Sequence, residues 1–362
     1  MKVSVIPSNY IINVTKEVNS QIESDFLLRA VKVKNNLEES VRLINISFTA
    51  IVDGRPVKKI VYSEEMIKNN ASELKKSLEK IQNIGSLLIL GTTNFWEYEI
   101  LSETSKLEPN QETGILLEHF KILDKEAVDK CILEIFYKNM NDKENKITNE
   151  ILVQKYHNNY EYILPVKGSW VVTNNYNDIY SHRRTLSQEF ALDFIQMNSD
   201  FVLTTNGNTS NKNYSCYGEE VYAIADGEVV DCFADFPENP PGFGSRLDKE
   251  KWSELEYKHG FVTSMLGNYI TIKHGRNEYS LYAHLIPRSL KVTTRDKVHQ
   301  GDIIGEIGNS GNSDAPHLHF QLMSGSDFLT ARGLPCTFTN IKDMVGEDIS
   351  FLDENNKIIY TV

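Results

Sequence analysis

The stretch "GNSGNSDAPHLHFQL", residues 308–322, sets His317 and His319 on either side of one leucine, directly after a Gly/Asn/Ser turn and a proline. "HLHFQL" reads as a β-strand. Side chains two apart on a strand share a face, so both imidazoles point into one space while Leu318 and Phe320 take the other. Taken alone, such a pair is either structural, on the surface or in the core, or a set of ligands and bases.

Other segments of the same half bear on that choice. "YSHRRTLSQEFALDFIQ" (180–196) contains His182 and Asp193. In "FALDF" Phe190, Leu192 and Phe194 face a core, and Asp193 falls on the opposite face beside Ala191. An aspartate in so apolar a strand is costly unless it is ion-paired, hydrogen-bonded or bound to metal; Arg183 and Arg184 are the nearby candidates for a plain salt bridge. "YSLYAHLIP" (279–287) sets His284 in a third apolar strand, with Tyr282 expected on the same face. Together, His182, Asp193, His284, His317 and His319 are five ligands or bases in one β-region. A catalytic zinc site takes three protein ligands and keeps a position for water. Two histidines and one aspartate would make such a site, leaving two histidines to move protons.

The order H…D, then "YAHL", then "G(N)SG…PHLHF" resembles the M23 family of zinc metallopeptidases, which includes lysostaphin and the LytM-type peptidoglycan hydrolases. The resemblance covers residues 165–340. It implies an antiparallel β peptidase domain built on a duplicated hybrid motif, and Zn2+ held by His182, Asp193 and His319. It implies His317 and His284 as the catalytic pair that handles the attacking water and the tetrahedral intermediate. Some members add a tyrosine upstream of the first ligand, here Tyr176 or Tyr180. In better-known members the first His and Asp lie close together as HxxxD, whereas here residues 183–192 separate them. The implied partner is a peptide, in stem or cross-bridge of peptidoglycan. Other readings are a catalytically silent M23-like domain that binds cell wall or a partner, and a sugar-phosphotransferase carrier domain using two histidines. The presence of all five residues argues against the silent domain, and a carrier has no need of the aspartate and extra histidines.

Around this region "GEEVYAIADGEVV" (218–230) and "VHQGDIIGEIGNSG" (298–311) look alike as strand–turn–strand units. A long Pro/Gly/charge-rich insert, 235–261, lies between them, as lids and walls often do. His259, His274 and His299 flank turns and read as solvated.

Residues 1–160 read as a β-sandwich-like accessory domain with one inserted helix. "VRLINISFTAIVDGRPVKKIVY" (41–62) alternates Ile44, Ile46, Phe48, Ala50 and Val52 on one face, and Asp53-Gly54 marks a hairpin turn. "SEEMIKNNASELKKSLEKIQ" (63–82) is a helix capped by Ser63, with acidic residues in its first turn. His119 and His157 have no metal-spaced companions. Residues 341–362 read as tail strands. The chain as a whole is mainly β.

Thirty-eight Lys+Arg against 50 Asp+Glu give 38 − 50 = −12, which argues against a general nucleic-acid surface. No run reaches the length of a membrane span. Four scattered cysteines (131, 216, 232 and 336) form neither a disulfide framework nor a thiolate metal site. The N-terminus lacks signal-peptide features, so the expected location is the cytoplasm, or outside after lysis or non-classical export.

Overall fold

The computed structural model describes residues 1–198, 200, 202–205, 207–353 and 357–361. The chain divides into two compact units, Met1–His157 and Asn158–Val362. The structure is mainly β, as expected.

In the first unit, two sheets enclose one apolar core. The long strand Gln21–Lys34 pairs along its length with Glu112–Asp124, and on its other edge with Val14–Val18 and Lys2–Ile6. The second sheet runs Tyr10–Ile12, Glu144–Gln154, Lys130–Lys138, Val41–Val52, Arg55–Ser63. Phe26 stacks on Phe120 at 4.7 Å, and Phe48 meets Phe120 edge-on. Each such buried ring stabilises the unit by roughly 1.5–3 kcal/mol. Asp53 and Gly54 turn the hairpin at φ 46° and 75°, conformations that suit the right-handed twist of the strands they join.

The alternation expected in 41–52 holds from Ile46 onward but not at Ile44. A bulge between Leu43 and Asn45 shifts the register, so Leu43 takes the core position and Ile44 is only half-buried. The helix spans Glu64–Leu90, longer than the segment expected, and it is interrupted at Gln82. Ser63 caps it by accepting from the Met66 amide, and Gly91 at φ 71° ends it.

The second unit is organised on one large antiparallel sheet. Its central strands are Asn268–Lys273, Tyr279–Leu285, Leu318–Met323, Leu192–Ile195 and Ser169–Asn174, in that order. The tail strands Ile358–Thr361 and Ile341–Asp343 continue this sheet beyond Ser169–Asn174. Residues 354–356 and 362 of the tail lie outside the described residues. The two look-alike segments pair with each other: Glu220–Tyr222 with Ile303–Glu306, and Gly227–Glu228 with Lys297–Val298.

Three neighbouring strands carry the residues of interest. Asp193 lies directly opposite His319, and His319 directly opposite Ala283. Behind them Leu318 and Phe320 are fully buried, with Phe320 packed on Tyr282 and Phe338. One face of these strands therefore belongs to the core and the other to a cleft.

Candidate metal centre and cleft

Register alone puts Asp193 and His319 on one face of the sheet, because directly opposed residues of antiparallel strands point the same way. His319 Nδ1 lies 2.9 Å from Asp193 Oδ1. His317, just ahead of the strand, shares that face, with Nε2 3.7 Å from the same oxygen. His182 comes from a loop, eleven residues upstream of Asp193. A succession of tight turns folds that loop: Ser181 N to Asp178 O, Thr185 N to His182 O, Gln188 N to Thr185 O and Ala191 N to Gln188 O. They return His182 Nε2 to 2.8 Å from Asp193 Oδ2. The ten residues between them thus form a compact loop that brings His182 and Asp193 together. Asp193 pairs with neither nearby arginine; Arg183 donates to the Tyr176 carbonyl.

His284 reaches the cleft differently. Two residues apart on a strand, it and Tyr282 were expected on one face, yet Tyr282 packs into the core against Phe320. His284 adopts φ 67°, a left-handed conformation uncommon for such a side chain. That breaks the strand's alternation and swings the imidazole over to His317 and His319, at ring separations of 4.7 and 5.8 Å. Backbone strain of this kind clusters at functional sites.

Several hydrogen bonds set the tautomers. Gln321 Nε2 donates to the Ser187 carbonyl, so its Oε1 faces His319 and must accept from His319 Nε2–H. His284 Nδ1–H donates to the Ser310 carbonyl and His317 Nδ1–H to the Ala315 carbonyl, both at 2.8 Å. Each leaves its Nε2 for the cleft. Ser181 donates to Asn174 Oδ1, which turns Asn174 Nδ2 toward Asp193 Oδ2 at 2.6 Å.

These partners define the electrostatics. Burial opposes ionisation of Asp193, but the imidazoles of His182 and His317 and the hydrogen bond from His182 win and hold its carboxyl well below the usual range. Burial also works against charging His182, and there the Asp193 carboxylate prevails and raises it. Burial, reinforced by the other imidazoles, pushes His284 well down. Burial lowers His317 despite the pull of Asp193.

The donor set suits a metal ion. Ligand atoms of His182, Asp193 and His319 lie within 4.8 Å of one another. With Nε2–H committed to Gln321, a neutral His319 points its Nδ1 lone pair at a carboxylate oxygen, acceptor against acceptor. A cation or a proton between them resolves that conflict. Two imidazoles and one carboxylate, with the second nitrogen of one ring held by an amide oxygen, match the donor chemistry and outer support of a catalytic zinc site.

The cleft above these residues holds about 500 Å3. The Ala315–His317 segment and Asn312 form one side, and Tyr214, Cys216 and Leu203 also border it. Tyr214 is buried, and its hydroxyl has no hydrogen-bond partner among the described residues. Neither tyrosine named from the sequence borders the cleft: Tyr176 packs on Phe190 and Phe351, and Tyr180 is 82% exposed. His274 is not solvated either. It is buried, 2.9 Å from the Asp226 carbonyl and 2.7 Å from Ser280 Oγ. His259 packs edge-on against Phe233 and Phe236, and His299 is exposed.

The 235–261 insert contains a helix, Lys249–His259, and its Phe243 and Arg246 border the cleft. Its two ends are clasped by Asn268, whose Oδ1 accepts from Phe236 N and whose Nδ2 donates to the carbonyls of Phe236 and Leu285. Asn239 Nδ2 donates to the carbonyls of Gly311 and Ser313, fastening the insert to the loop that leads into His317.

Residues 212–330 match the sequence model of peptidase family M23, the family that the "YAHL" and "PHLHF" stretches resemble. The match contains His284, His317 and His319; Asp193 precedes it and joins it through the sheet, and His182 joins it through Asp193. A protein of Buchnera aphidicola subsp. Baizongia pistaciae, described as an uncharacterized metalloprotease, is 36% identical over 85 residues, 24% of this chain and 22% of its own length. The peptidoglycan DD-endopeptidase ShyC of Vibrio cholerae serotype O1 is 39% identical over 57 residues, 16% of this chain and 13% of its own. The chain thus spans less than a quarter of these relatives. The catalytic domain of lysostaphin from Staphylococcus simulans is similar at 24% identity and a TM-score of 0.23, over 41% of this chain and 78% of that one.

Proposed function

We propose that the second unit is a zinc-dependent endopeptidase that cuts peptide bonds in peptidoglycan stems or cross-bridges. The observation that carries this reading is the convergence of His182, Asp193 and His319 on one point, with His284 and His317 beside it. The match to family M23 and the kinship of the matched stretch with a peptidoglycan DD-endopeptidase support it.

His182, Asp193 and His319 would hold the metal. Zinc, when bound, supplies a Lewis acid that makes water nucleophilic near neutral pH and polarises a carbonyl. The remaining chemistry belongs to the side chains. His284 and His317 both keep Nδ1–H tied to backbone carbonyls, so each presents Nε2 as an acceptor. Burial keeps both neutral near pH 7, in the form that takes a proton. One ring takes the proton of the attacking water. The imidazolium so formed can donate to the departing amine, while its neighbour, also an acceptor at Nε2, helps to orient the attacking water. No covalent bond to the protein forms. Among the described residues, the unit Met1–His157 brings no comparable constellation.

The test is digestion of purified peptidoglycan followed by mass analysis of released peptides, using wild type, chelated and zinc-restored protein, and His284→Ala. Zinc-dependent release that His284→Ala abolishes is the expected result. Bound zinc with no release from any wall type points away from peptidoglycan. Failure to bind zinc sinks the ligand assignment and leaves a binding domain.

A further inference from the structure

Arg246 is the one lysine or arginine among the described residues that border the cleft, in a chain whose net charge is −12. Its Nη2 donates to Asp314 Oδ1 at 2.5 Å. Its Nη1 is buried and has no acceptor among the described residues. The side chain as a whole keeps 34% of its exposure, so the guanidinium is held at the cleft and not sealed inside the protein. Asp314 is fixed in turn, its carbonyl accepting from the Gly244 amide. It stands three residues ahead of His317, a chain distance of at most about 10 Å. That is the reach of two to three residues of an extended peptide.

A guanidinium presents paired donors shaped for the two oxygens of a carboxylate. Asp314 engages one nitrogen only. Nη1 itself is covered, so an incoming acceptor meets the part of the guanidinium that stays exposed at the cleft. Phe243, three residues earlier on the same wall, is 76% exposed and offers an aromatic face to whatever lies alongside.

We infer that Arg246 reads a carboxylate on the substrate, within two residues of the scissile bond, so that the cleft selects peptides carrying a free acid over the same peptides amidated at that position. The inference deepens the peptidase reading and rests on it. It makes Arg246 a specificity residue and the insert a reading wall. A purely structural latch between insert and loop would be indifferent to the charge of the substrate.

The experiment uses the full zinc-loaded chain and pairs of muropeptides that differ only in one carboxylate, free or converted to carboxamide, placed in turn at the positions flanking the cut. Wild type should favour the free acid at least tenfold in kcat/KM at one position, mostly through KM. Arg246→Gln should drop the acid to the level of the amide, and Arg246→Lys should keep part of the preference. Asp314→Asn, which removes the internal competitor, should keep or enlarge it. Equal rates on acid and amide in wild type, or an equal fall on both in Arg246→Gln, would overturn the inference and leave the peptidase reading intact. So would loss of the preference in Asp314→Asn. If wild type cuts neither peptide, the peptidase reading fails. Calorimetric binding of the same pairs then decides the inference: tighter binding of the acid, abolished in Arg246→Gln, upholds it, and equal binding overturns it.

Discussion

Gln321 Oε1 sits 2.8 Å from His319 Nε2, two residues along the same strand, and the Ser187 carbonyl fixes which way the amide faces. The ring of the proposed third ligand is therefore set before any metal arrives. Removing such an outer partner typically weakens metal binding 10–100-fold. Gln321→Leu should bind zinc more weakly by about that factor in a competition titration against a chromophoric chelator. Unchanged affinity would show that Gln321 only fills space.

Zinc should also stabilise the fold. A ligand at a thousand times its Kd adds about 4 kcal/mol to the stability of the state that binds it. Thermal unfolding of wild type should shift upward with zinc and return with a chelator. Asp193→Asn, which keeps the shape but removes the charge, should lose most of that shift. A shift of the same size in Asp193→Asn would place the ion elsewhere.

The left-handed backbone at His284 makes a prediction about stability alone. A side chain with Cβ pays roughly 1–2 kcal/mol there, and glycine does not. His284→Gly should therefore be more stable than His284→Ala in urea unfolding, by about 1 kcal/mol, reversing the order expected inside a strand. Both should lack peptidase activity and both should still bind zinc. Ala proving the more stable would mean the strain is absent.

His274 gives a pH dependence remote from the cleft. Burial lowers its pKa, against the opposing pull of the Asp226 carbonyl, Glu278 and the Asp226 carboxylate. A lowered folded value means that the unfolded chain takes up the proton first as pH falls. The stability that neutral His274 contributes is complete above about pH 6.5 and is lost as pH drops from there through the folded value. Urea unfolding at a series of pH values should show a shallower acid-side loss for His274→Gln than for wild type. Parallel curves would remove His274 from the account.

Much of the cleft was legible because a strand's period of two is simple. His317 and His319 had to share a face, and Asp193 in "FALDF" had to be answered by something. What escaped depends on local departures from that period or on contacts distant in sequence. The bulge at Leu43 to Asn45 displaced Ile44, and the left-handed residue at 284 parted His284 from Tyr282. Gln321 carried a readable signal, since it lies two positions beyond His319 on the same strand. Asn174 did not, because its place opposite Asp193 follows from strand pairing alone. His274 looked solvated in "KHGR", and the partners that bury it are Asp226, in the bend before Gly227, and Ser280, on the neighbouring strand. Arg246 was one charge among many in the insert until Asp314 gave it a location.

The clasp at Asn268 joins the two ends of the excursion that carries Phe243 and Arg246, and it does so on the sheet beside the strand of His284. The segment beyond Asn239 can lengthen, shorten or change its charge while these anchors stay fixed beside the strands that carry Asp193, His284 and His319. On the proposed reading, recognition and chemistry would be written in separable parts of the chain, and a lineage would acquire a new diet by editing the excursion while inheriting the blade unchanged.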